Sequence, residues 1–538
     1  MDGILDRSPK LCRWLAGLLI LAAALLRLAY LAWFSPLDLA PDEAHYWDWS
    51  RHLDWSYYSK GPLVALIIRA SLTVFGPMSI ALTGGETFAV RIPAVIFGSL
   101  LLVGLYALST QVFGREKWSL ATVAITLTFP VVSAGSSLMT IDAPFMCLWT
   151  WALVAGHRAF IGRSTWAWAA TGVLLALGIL AKHTMVLWIP CFGLFLICTP
   201  SLRPLLRSGG FWTMSAIAGL GVLPILGWNA ANGWVTLLHT QGHAGVTSPR
   251  LIHWFGPAVY FGIQFALLLG IGFVCWTGAM IRFRPRSDDD PARRYLWFMS
   301  APIILFFAAF SFKNGGGEPN WPLAGYLSGL VLTAAWLAEQ FRSPIAWYRR
   351  SLLATCLLTG CVGLVGSVVV HMPLAFQPFF AAISGPASEQ RPMPMRRFDP
   401  TCRLRGWTTL AREVDKVRGE LKTDGIDPIL VGTSWSFPGE LGFYCEGHPP
   451  AYSIGIAFND RNSQYELWRP HPVLEPAPFL GKTFVVVGAN DGLLSPYFDR
   501  VEPTRGIEHR ENGLLIAAWT VTVCRGFRGF PEKKSNGF

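Results

Sequence analysis

The sequence predicts an all-α polytopic membrane domain followed by a small C-terminal α/β domain outside the membrane. The 538 residues are 52% hydrophobic and only 14% charged, which is about half of the charged share of a soluble domain. Apolar stretches long enough to cross a bilayer, whose core needs about 20 residues, recur as far as position 370. This composition excludes a single soluble globule, and the 13% aromatic content excludes a disordered chain.

The first apolar stretch, 11–34, begins among the basic residues Arg7, Lys10 and Arg13. It is longer than the apolar core of a signal peptide, and no small-residue cleavage site follows it. We therefore predict a signal anchor with a cytoplasmic N-terminus. The other spans, which bring the predicted number to eleven, lie at 89–113, 118–134, 144–161, 166–181, 184–200, 211–229, 254–281, 295–311, 320–340 and 351–370.

Basic residues alternate between the predicted loops, in agreement with the enrichment of Lys and Arg in cytoplasmic loops. The predicted inner segments carry Arg7, Lys10, Arg13, Arg115, Lys117, Arg158, Arg163, Arg203, Arg207, Arg282, Arg284, Arg286, Arg293, Arg294, Arg342, Arg349 and Arg350. The predicted outer loops carry only Arg51, Lys60, Arg69, Lys182, Arg250 and Lys313. This alternation predicts that the last span of the membrane domain, 1–371, exits on the outer side, so that the chain after it lies outside.

The chain changes in composition after the last span. A Pro-rich linker, 372–400, leads into a domain at 401–538. Helical periodicity over 407–421 predicts a helix, and three apolar runs predict buried strands at 428–433, 483–488 and 514–523. An oxidising compartment would permit one disulfide in this domain, and the sequence leaves the pair open among Cys402, Cys445 and Cys524.

The first outer loop, 35–88, concentrates reactive side chains. Between positions 38 and 62 it contains five acids, two His, two bases and six Trp or Tyr. Pro41 and the acids after it predict a helix start. Carboxylates beside aromatic rings suit sugar chemistry, because an acid can take a hydroxyl proton and a ring can stack on a sugar face. An interfacial aromatic belt with solvated charges is the alternative interpretation.

Asp42 is the strongest candidate for a general base, which needs an unprotonated carboxylate within hydrogen-bond reach of the attacking group. Asp42 and Glu43 could instead complement a helix dipole. His45 could orient Asp42 or Asp48, or be an ordinary interfacial histidine. Lys60 could neutralise a phosphate, or anchor the chain at the membrane surface.

Two other predicted outer segments carry candidates. Asp142 precedes an apolar helix, and an acid at that depth is a functional-site hypothesis by default, although an N-cap role would also explain it. Lys182 lies between two short apolar stretches, near membrane depth. The Gly-rich segment 312–322 contains Glu318 and Asn320, and its glycines would let the backbone approach a ligand. The segments around Lys182 and Glu318 fit structural turns equally well.

The sequence does not support a metal or a nucleic acid as a ligand. His239, His243 and His253 share one outer loop, but no Cys or carboxylate nearby completes a metal site, so no metal is predicted. The net charge of +11 raises the question of nucleic acid, but the sequence has no compact basic run with interleaved aromatics. We therefore predict no nucleic-acid partner.

These residues together resemble the bacterial family 39 glycosyltransferases, a group similar to protein O-mannosyltransferases and to the aminoarabinose transferases that modify lipid A. The resemblance covers most of residues 12–470 and depends on the order and spacing of its motifs. The motifs are the Asp42-Glu43 loop ending in Lys60-Gly61-Pro62, the Glu86/Arg91 pair, Asp142, 180–184, 318–322, 443–444, 447–449 and 462–468.

The resemblance implies a GT-C fold and a membrane glycosyltransferase. Such enzymes move a sugar from a polyprenyl-phosphate donor, with inversion, to lipid A or lipopolysaccharide, another envelope glycan or a protein at the periplasmic face. By position, Asp42 would be the base, Glu43 would support it and Asp142 would be the second acid. Lys60 would hold the donor phosphate, with Lys182 as a second candidate. The residues expected to bind substrate are His45, Tyr46, Tyr58, Glu318 and Asn320.

Together with the loop charges, the resemblance implies a multi-pass protein of the bacterial inner membrane, with a cytoplasmic N-terminus and a periplasmic C-terminal domain. The expected partners are the lipid-linked donor, the acceptor and membrane lipids. No cofactor is expected, since a lysine can supply the charge that a divalent metal would supply. The aminoarabinose transferases have an acid before the equivalent of Lys60, whereas Ser59 stands here, which argues against an acid or metal role at that position.

Three other functions stay open at this point. A transporter or flippase for a lipid-linked sugar would show inverted repeats and polar groups near the midplane, whereas here the ionisable residues favour the outer boundary. A synthase that loads a sugar onto polyprenyl phosphate, or a ligase with a diphosphate donor, is a second possibility. A non-catalytic scaffold that displays the outer domain is the third.

Overall fold

The computed structural model describes residues 8–243, 252–286 and 290–530. Helices dominate the chain as far as Ser384, and a domain with a six-stranded sheet follows. The predicted fold class, a helical membrane domain with a C-terminal α/β domain, is confirmed. Arg250 and the two chain ends, 1–7 with Arg7 and 531–538, lie outside the described residues.

Every predicted span coincides with helical structure. Within the described residues, six helices are long and apolar enough to cross a bilayer, namely Pro9–Phe34, Leu63–Thr83, Thr87–Phe113, Gly209–Ala231, Pro291–Asn314 and Ala346–His371. The helices Gly256–Leu267 and Ile271–Arg282 are bent by 109° relative to each other. If this pair is counted as one span, the number of possible spans is seven. By length and composition, the predicted number of eleven spans is therefore not confirmed.

The helical elements of this part of the chain include a π-helix at Tyr30–Phe34 and 3-10 helices at His183–Leu187 and Pro200–Arg207. The α-helices are Pro9–Ala29, Pro41–Arg51, Leu63–Thr83, Thr87–Phe113, Glu116–Leu127, Pro130–Gly135, Asp142–Gly162, Thr165–Ala181, Trp188–Ile197, Gly209–Leu220, Leu223–Ala231, Val235–His243, Gly256–Leu267, Ile271–Arg282, Pro291–Phe298, Ala301–Asn314, Leu323–Gln340, Ala346–His371 and Pro373–Ser384.

Several predicted spans are divided into shorter helices. The predicted span 118–134 breaks before Pro130, because proline lacks the N–H that would continue the preceding helix. The predicted span 254–281 breaks at Gly270, whose φ of 65° is a conformation that glycine adopts without steric cost. Neither break is visible as a gap in the apolar sequence, so the sequence predicted one continuous span in each place.

The predicted first outer loop, 35–88, contains the 21-residue apolar helix Leu63–Thr83, which the sequence analysis did not predict. Arg69 and Pro77 interrupt the apolar run in the sequence. In the structure Arg69 lies on the exposed face of the helix, and Pro77 is accommodated within it. The segment is therefore a helix in spite of two residues that argue against a span.

Aromatic side chains fill the centre of the membrane domain. Trp188 stacks on Phe192 with 4.9 Å between the ring centroids. Gly156 lets the helices approach, because a Cβ at this position would lie 2.9 Å from atoms of both Trp188 and Tyr295. Gly156 belongs to the helix that begins at Asp142, so this packing fixes the helix that carries one of the predicted site residues.

The C-terminal domain, which begins at position 401 and which we call the outer domain after its predicted location, combines the helix Trp407–Thr423 with a mixed sheet. The strands are β1 (Ile429–Gly432), β2 (Ala451–Ser453), β3 (Phe484–Val487), β4 (Phe498–Val501), β5 (Arg505–Glu511) and β6 (Leu514–Phe527). Their order is β2-β1-β3-β6-β4, and β5 also pairs with β6. β1 is parallel to β2 and β3, whereas β6 is antiparallel to β3, β4 and β5.

The sequence predicted the helix and strands β1, β3 and β6, and the structure has all four. It missed β2, which is only three residues long, β4, in which two of the four residues are charged, and β5, which is largely charged. The other helices of this part are Phe437–Tyr444, Asp491–Leu494, Pro394–Arg397, Pro400–Leu404, Gly455–Phe458, Gln464–Glu466, Ala477–Phe479 and Ser495–Tyr497.

The predicted linker, 372–400, is helical over Pro373–Ser384. Phe380 of this helix packs against Cys402 and Ile516 of the outer domain. The three cysteines of the outer domain are free thiols, and each packs in a different hydrophobic cluster. Burial in separate clusters keeps the three thiols apart, so the described domain contains no disulfide.

The outer domain packs directly on the first outer loop. Its helix Phe437–Tyr444 lies against the helix Pro41–Arg51, which we call the loop helix. Gly439 makes this contact close, because a Cβ there would lie 2.9 Å from backbone atoms of both Ala44 and His45. The loop helix is therefore enclosed between the two domains.

Hydrogen bonds reinforce this contact just before the loop helix. The backbone N–H of Leu39 donates to the hydroxyl of Tyr444 at 2.6 Å. The carboxylate of Asp38 accepts hydrogen bonds from the backbone N–H of Trp407 at 2.8 Å and from the hydroxyl of Thr408 at 2.6 Å. The outer domain is thus held by the loop as well as by the chain that connects it.

Gly439→Ala should loosen this junction, because the new Cβ would meet the loop-helix backbone at a distance that forces movement. We expect a lower midpoint of thermal unfolding for the purified protein. Gly419→Ala is the matched control, since Gly419 lies on the exposed face of the helix Trp407–Thr423 with open space at the Cβ position. This substitution should stabilise the domain by about 0.5–1 kcal/mol. A midpoint for Gly439→Ala equal to that of the wild type would contradict the close contact.

Candidate active site

Segments from both domains line one cavity of about 650 Å³. Every predicted site residue except Glu43 lines it. From the membrane domain these are Asp42, His45, Tyr46, Tyr58, Lys60, Asp142, Lys182, Glu318 and Asn320. The outer domain adds Trp435, Arg461, Asn462 and Ser463. The cavity therefore lies where the outer domain meets the loop helix and the neighbouring helix ends.

The loop helix points its two adjacent acids in different directions. Glu43 accepts a hydrogen bond from the N–H of Ala40 at 2.9 Å, which satisfies a free N–H in the first turn. Asp42, His45 and Tyr46 have the i, i+3, i+4 spacing of one helix face, and all three line the cavity. Adjacent residues of a helix point about 100° apart, so Glu43 faces away from the cavity.

Glu43, which the sequence predicted among the catalytic residues as a support for Asp42, forms a buried network instead of lining the cavity. Its Oε2 lies 2.8 Å from Nη2 of Arg91, and both side chains are almost fully buried. Its Oε1 accepts a hydrogen bond from the N–H of Met139 at 2.7 Å. Because Arg91 lies on Thr87–Phe113 and Met139 lies three residues before Asp142, this network ties the loop helix to two other site segments.

Glu440 of the outer domain is buried close to this network. Burial raises the pKa of Glu440 well above its ordinary value, and the charges of Asp38 and Glu43 act in the same direction. Among the described residues its carboxyl oxygens have no hydrogen-bond partner. A buried carboxyl in this environment is stable only in its protonated form, so it adds no negative charge beside Glu43.

Asp142 is held by two partners. Its Oδ1 lies 2.6 Å from Nζ of Lys182, and its Oδ2 accepts a hydrogen bond from Nδ2 of Asn320 at 2.6 Å. The ion pair neutralises Lys182, which the sequence proposed as a second phosphate-binding residue. Three predicted site residues from distant parts of the chain therefore form one polar cluster on the cavity wall.

Asp42 has a different environment from Asp142. Within the described ranges, no ion pair or hydrogen bond engages the carboxylate of Asp42 or the ammonium of Lys60. The exposed surface of Asp42 faces the cavity, so a ligand can reach the carboxylate although protein surrounds it. The carboxylate of Asp42 and the ammonium of Lys60 thus remain available for a ligand.

Burial shifts the proton affinities of both groups. The surrounding protein raises the pKa of the Asp42 carboxyl above its ordinary value, and the charges of Lys60 and Arg461 oppose this shift. Burial lowers the pKa of the Lys60 ammonium, and Lys182 lowers it further. A carboxylate with a raised pKa is a stronger proton acceptor, which suits a general base.

The predicted substrate-binding residues shape the cavity in different ways. His45 stacks on Tyr465 with 4.9 Å between ring centroids, and burial lowers the pKa of His45 to about 3. Its ring is therefore neutral, and in the described structure it makes no hydrogen bond to Asp42. Tyr58 donates its backbone N–H to Oε1 of Gln464 in the outer domain at 2.7 Å.

Trp435 and Arg461 are site residues that the sequence analysis missed. The guanidinium carbon of Arg461 lies 4.3 Å from the centre of the Trp435 ring. The available signal was the stretch 462–468, which directly follows Arg461 and belongs to the motifs of the resemblance. The position of Arg461 at the cavity depends on how the outer domain docks, which no local pattern encodes.

The histidines considered for a metal do not form a set. His239 lines the cavity, with its ring centroid 5.0 Å from that of Tyr58, whereas His253 is not part of the cavity lining. The side chain of His243 lies outside the described part of the structure. Over the described residues, no group of three or more His, Cys, Asp or Glu side chains could hold a metal ion.

Comparisons of the sequence identify related membrane enzymes. The family described as dolichyl-phosphate-mannose-protein mannosyltransferase matches residues 59–228. The chain is 27% identical over 331 residues to the lipid A galacturonosyltransferase RgtD of Rhizobium johnstonii. This alignment covers 60% of the chain and 65% of RgtD. It is 28% identical over 167 residues to the undecaprenyl phosphate-alpha-4-amino-4-deoxy-L-arabinose arabinosyl transferase 1 of Pseudomonas fluorescens. This second alignment covers 30% of the chain and 28% of the Pseudomonas protein. The chain therefore spans less than two thirds of the length of these relatives.

Two crystal structures of ArnT from Cupriavidus metallidurans share the fold along most of the chain. The apo structure has a TM-score of 0.55 at 16% identity and covers 94% of this chain and 97% of ArnT. The structure bound to undecaprenyl phosphate has a TM-score of 0.53 at 18% identity, with the same coverage. This fold, together with the apolar helices, makes the chain a multi-pass membrane protein.

Arg91→Met should destabilise the protein strongly, because it leaves the carboxylate of Glu43 buried without its counter-charge. Breaking such a buried pair costs about 3–5 kcal/mol, which we expect as a lower unfolding midpoint in detergent. Arg505→Met is the matched control, since Arg505 forms an exposed pair with Glu420, and such pairs contribute about 0–1 kcal/mol. Equal midpoints for the two variants would contradict the anchoring role of Arg91.

Proposed function

We propose that this chain is a membrane glycosyltransferase that uses a lipid-linked sugar. The comparisons bear out its resemblance to the family 39 GT-C glycosyltransferases. It moves a sugar from a polyprenyl-phosphate donor to a hydroxyl group of an envelope acceptor such as lipid A. The observation that supports this most directly is the position of Asp42 and Lys60. A reachable carboxylate and a reachable ammonium line the same cavity, as attack by a hydroxyl and departure of a phosphate require.

In the proposed reaction, Asp42 takes the proton of the acceptor hydroxyl while its oxygen forms a bond to the anomeric carbon of the sugar. The bond from that carbon to the donor phosphate breaks on the opposite face, so the configuration is inverted. Lys60 neutralises the negative charge that develops on the departing phosphate. Asp142 is held by Lys182 and Asn320, and it orients the hydroxyl groups of the sugar.

The relatives support the proposed classes of donor and acceptor. RgtD is named as a lipid A transferase, and the Pseudomonas enzyme is named for an undecaprenyl-phosphate-linked sugar. The sugars in the two names differ in charge, because a galacturonosyl group carries a carboxylate whereas the aminoarabinose carries an amine. The names therefore support a lipid-linked donor and a glycolipid acceptor, and they leave the sugar open.

The proposed site of action is the periplasmic face of the bacterial inner membrane. The alternation of basic residues between the predicted loops supports this orientation, because cytoplasmic loops are enriched in Lys and Arg. The outer domain, which contributes Trp435 and Arg461 to the cavity, then lies in the periplasm with the acceptor.

The observations favour transfer over transport of the lipid-linked sugar. Transport requires no proton acceptor, and it requires a site that opens alternately to the two sides of the membrane. Here a reachable carboxylate with a raised pKa lies in a cavity that the outer domain helps to line. Loading of a sugar onto polyprenyl phosphate would use the same residues in the opposite direction, and the product of the assay below distinguishes it.

Asp42→Asn should reduce the turnover of sugar transfer by about 10²–10⁴-fold, because the amide cannot accept the hydroxyl proton. The assay follows a labelled sugar from polyprenyl phosphate to lipid A with purified protein in liposomes. Asp54→Asn is the matched control, since Asp54 lies in the same outer loop, does not line the cavity and accepts a hydrogen bond from Nε1 of Trp228 at 2.7 Å. Retained turnover in Asp42→Asn, with the fold intact, would exclude the proposed mechanism.

The pH profile of transfer should be narrow. Asp42 acts as a base only when deprotonated, so the rate falls as the pH drops through its raised pKa. Lys60 holds a phosphate only when protonated, so the rate falls as the pH rises through its lowered pKa. Lys60→Arg should move the basic limb of the kcat/KM profile to higher pH, because a guanidinium keeps its proton. A basic limb that does not move would show that Lys60 does not control it.

A further inference from the structure

Arg461 presents an unused cationic group to the cavity. It lies in the outer domain, on the connection 454–483 between β2 and β3, and it is half-buried. Its guanidinium lies over the ring of Trp435, and within the described residues it has no hydrogen bond or ion pair. Cation–π stacking occupies a face of the guanidinium, so the N–H groups along its edge remain free for an anion.

The other charges of the cavity already have partners in the proposed reaction. Lys182 is paired with Asp142 at 2.6 Å. In the proposed reaction, Lys60 neutralises the single negative charge of the donor phosphate. Asp42 loses its charge when it takes the proton of the acceptor. At that stage of the reaction Arg461 has no anionic partner among these groups, so its guanidinium can take a further anion in the cavity.

Arg461 lines the same cavity as Asp42 and Lys60, and its charge reaches several residues of the lining. Its charge acts on Asp42, Lys60, Tyr46 and Tyr58, which come from two segments of the first outer loop. The remaining acid of the lining, Glu318, is exposed, and the largest charge effects on Asp42 and Lys60 do not come from it. A sugar held between Asp42 and Lys60 would therefore lie within the field of the Arg461 cation.

We propose that the sugar transferred by this chain belongs to the uronic acid class, and that Arg461 binds its carboxylate. This inference rests on the proposed glycosyl transfer and names the class of sugar for that reaction. The planar guanidinium matches a carboxylate with two parallel hydrogen bonds, and Trp435 holds its plane in place. An amino sugar would bring a second positive charge next to Arg461, which opposes binding.

The test compares donors that differ only in this carboxylate. Polyprenyl phosphate that carries galacturonic acid is compared with the same carrier that carries galactose, with lipid A as the acceptor in both cases. We expect the wild type to prefer the uronic acid by about 10- to 100-fold in kcat/KM, the range for a hydrogen bond to a charged group. Arg461→Gln should bring this ratio close to one, and Arg461→Lys should keep part of it.

Arg469→Gln is the matched control, since Arg469 lies on the same domain, pairs with Glu475 and does not line the cavity. It should keep the wild-type ratio. Because the ratio compares two donors on one preparation, partial unfolding of a variant does not change it. A wild-type ratio close to one, or an unchanged ratio in Arg461→Gln, would overturn the inference.

A second arm separates the carboxylate of the sugar from a phosphate of the acceptor. If the effect of Arg461→Gln disappears when the acceptor lipid is dephosphorylated, Arg461 binds the acceptor and the inference is wrong. If the effect follows the donor on either acceptor, the inference is supported. Transfer of both sugars without preference would overturn only this inference. Transfer of neither sugar, but of aminoarabinose from the same carrier, would also overturn only this inference. A wild type that transfers none of the three sugars would count against the proposed function itself.

Discussion

The buried ion pair between Glu43 and Arg91 is the interaction on which the site depends. Both side chains are almost completely removed from water, and such a pair is favourable only when its remaining hydrogen-bonding positions are filled. Here the oxygens of Glu43 also accept bonds from the N–H groups of Ala40 and Met139, and Arg91 donates to two carbonyls of the preceding loop. The loop helix is therefore fixed in rotation, and Asp42 faces the cavity as a consequence.

The two carboxylates that line the cavity beside Lys60 differ because of their neighbours. Asp142 is engaged by Lys182 and Asn320, so both of its oxygens are occupied and its charge is balanced. Asp42 is enclosed by protein without a direct partner among the described residues, so its pKa is raised and its oxygens are free. The same type of side chain can thus serve as a proton acceptor in one position and as an orienting group in the other.

The outer domain is part of the site rather than an appendage. It packs on the loop helix through Gly439, and Gln464 binds the backbone of Tyr58 two residues before Lys60. It also brings a cation, Arg461, into a cavity whose other charged residues come from the membrane domain. A docked domain can therefore select among substrates while the membrane domain supplies the reacting groups.

The sequence by itself determined the helical membrane domain, the composition of the outer domain and most of the candidate residues that line the cavity, including Asp42. These features depend on short stretches of sequence, because apolar runs, helix starts and acids beside aromatic rings involve residues that are close together in the chain. Tertiary structure decided that Glu43 turns away, that Asp142 pairs with Lys182, that Arg461 reaches the cavity and that a helix forms inside the predicted first outer loop. The partner of a buried charge depends on how distant segments pack, and no pattern of adjacent residues specifies it.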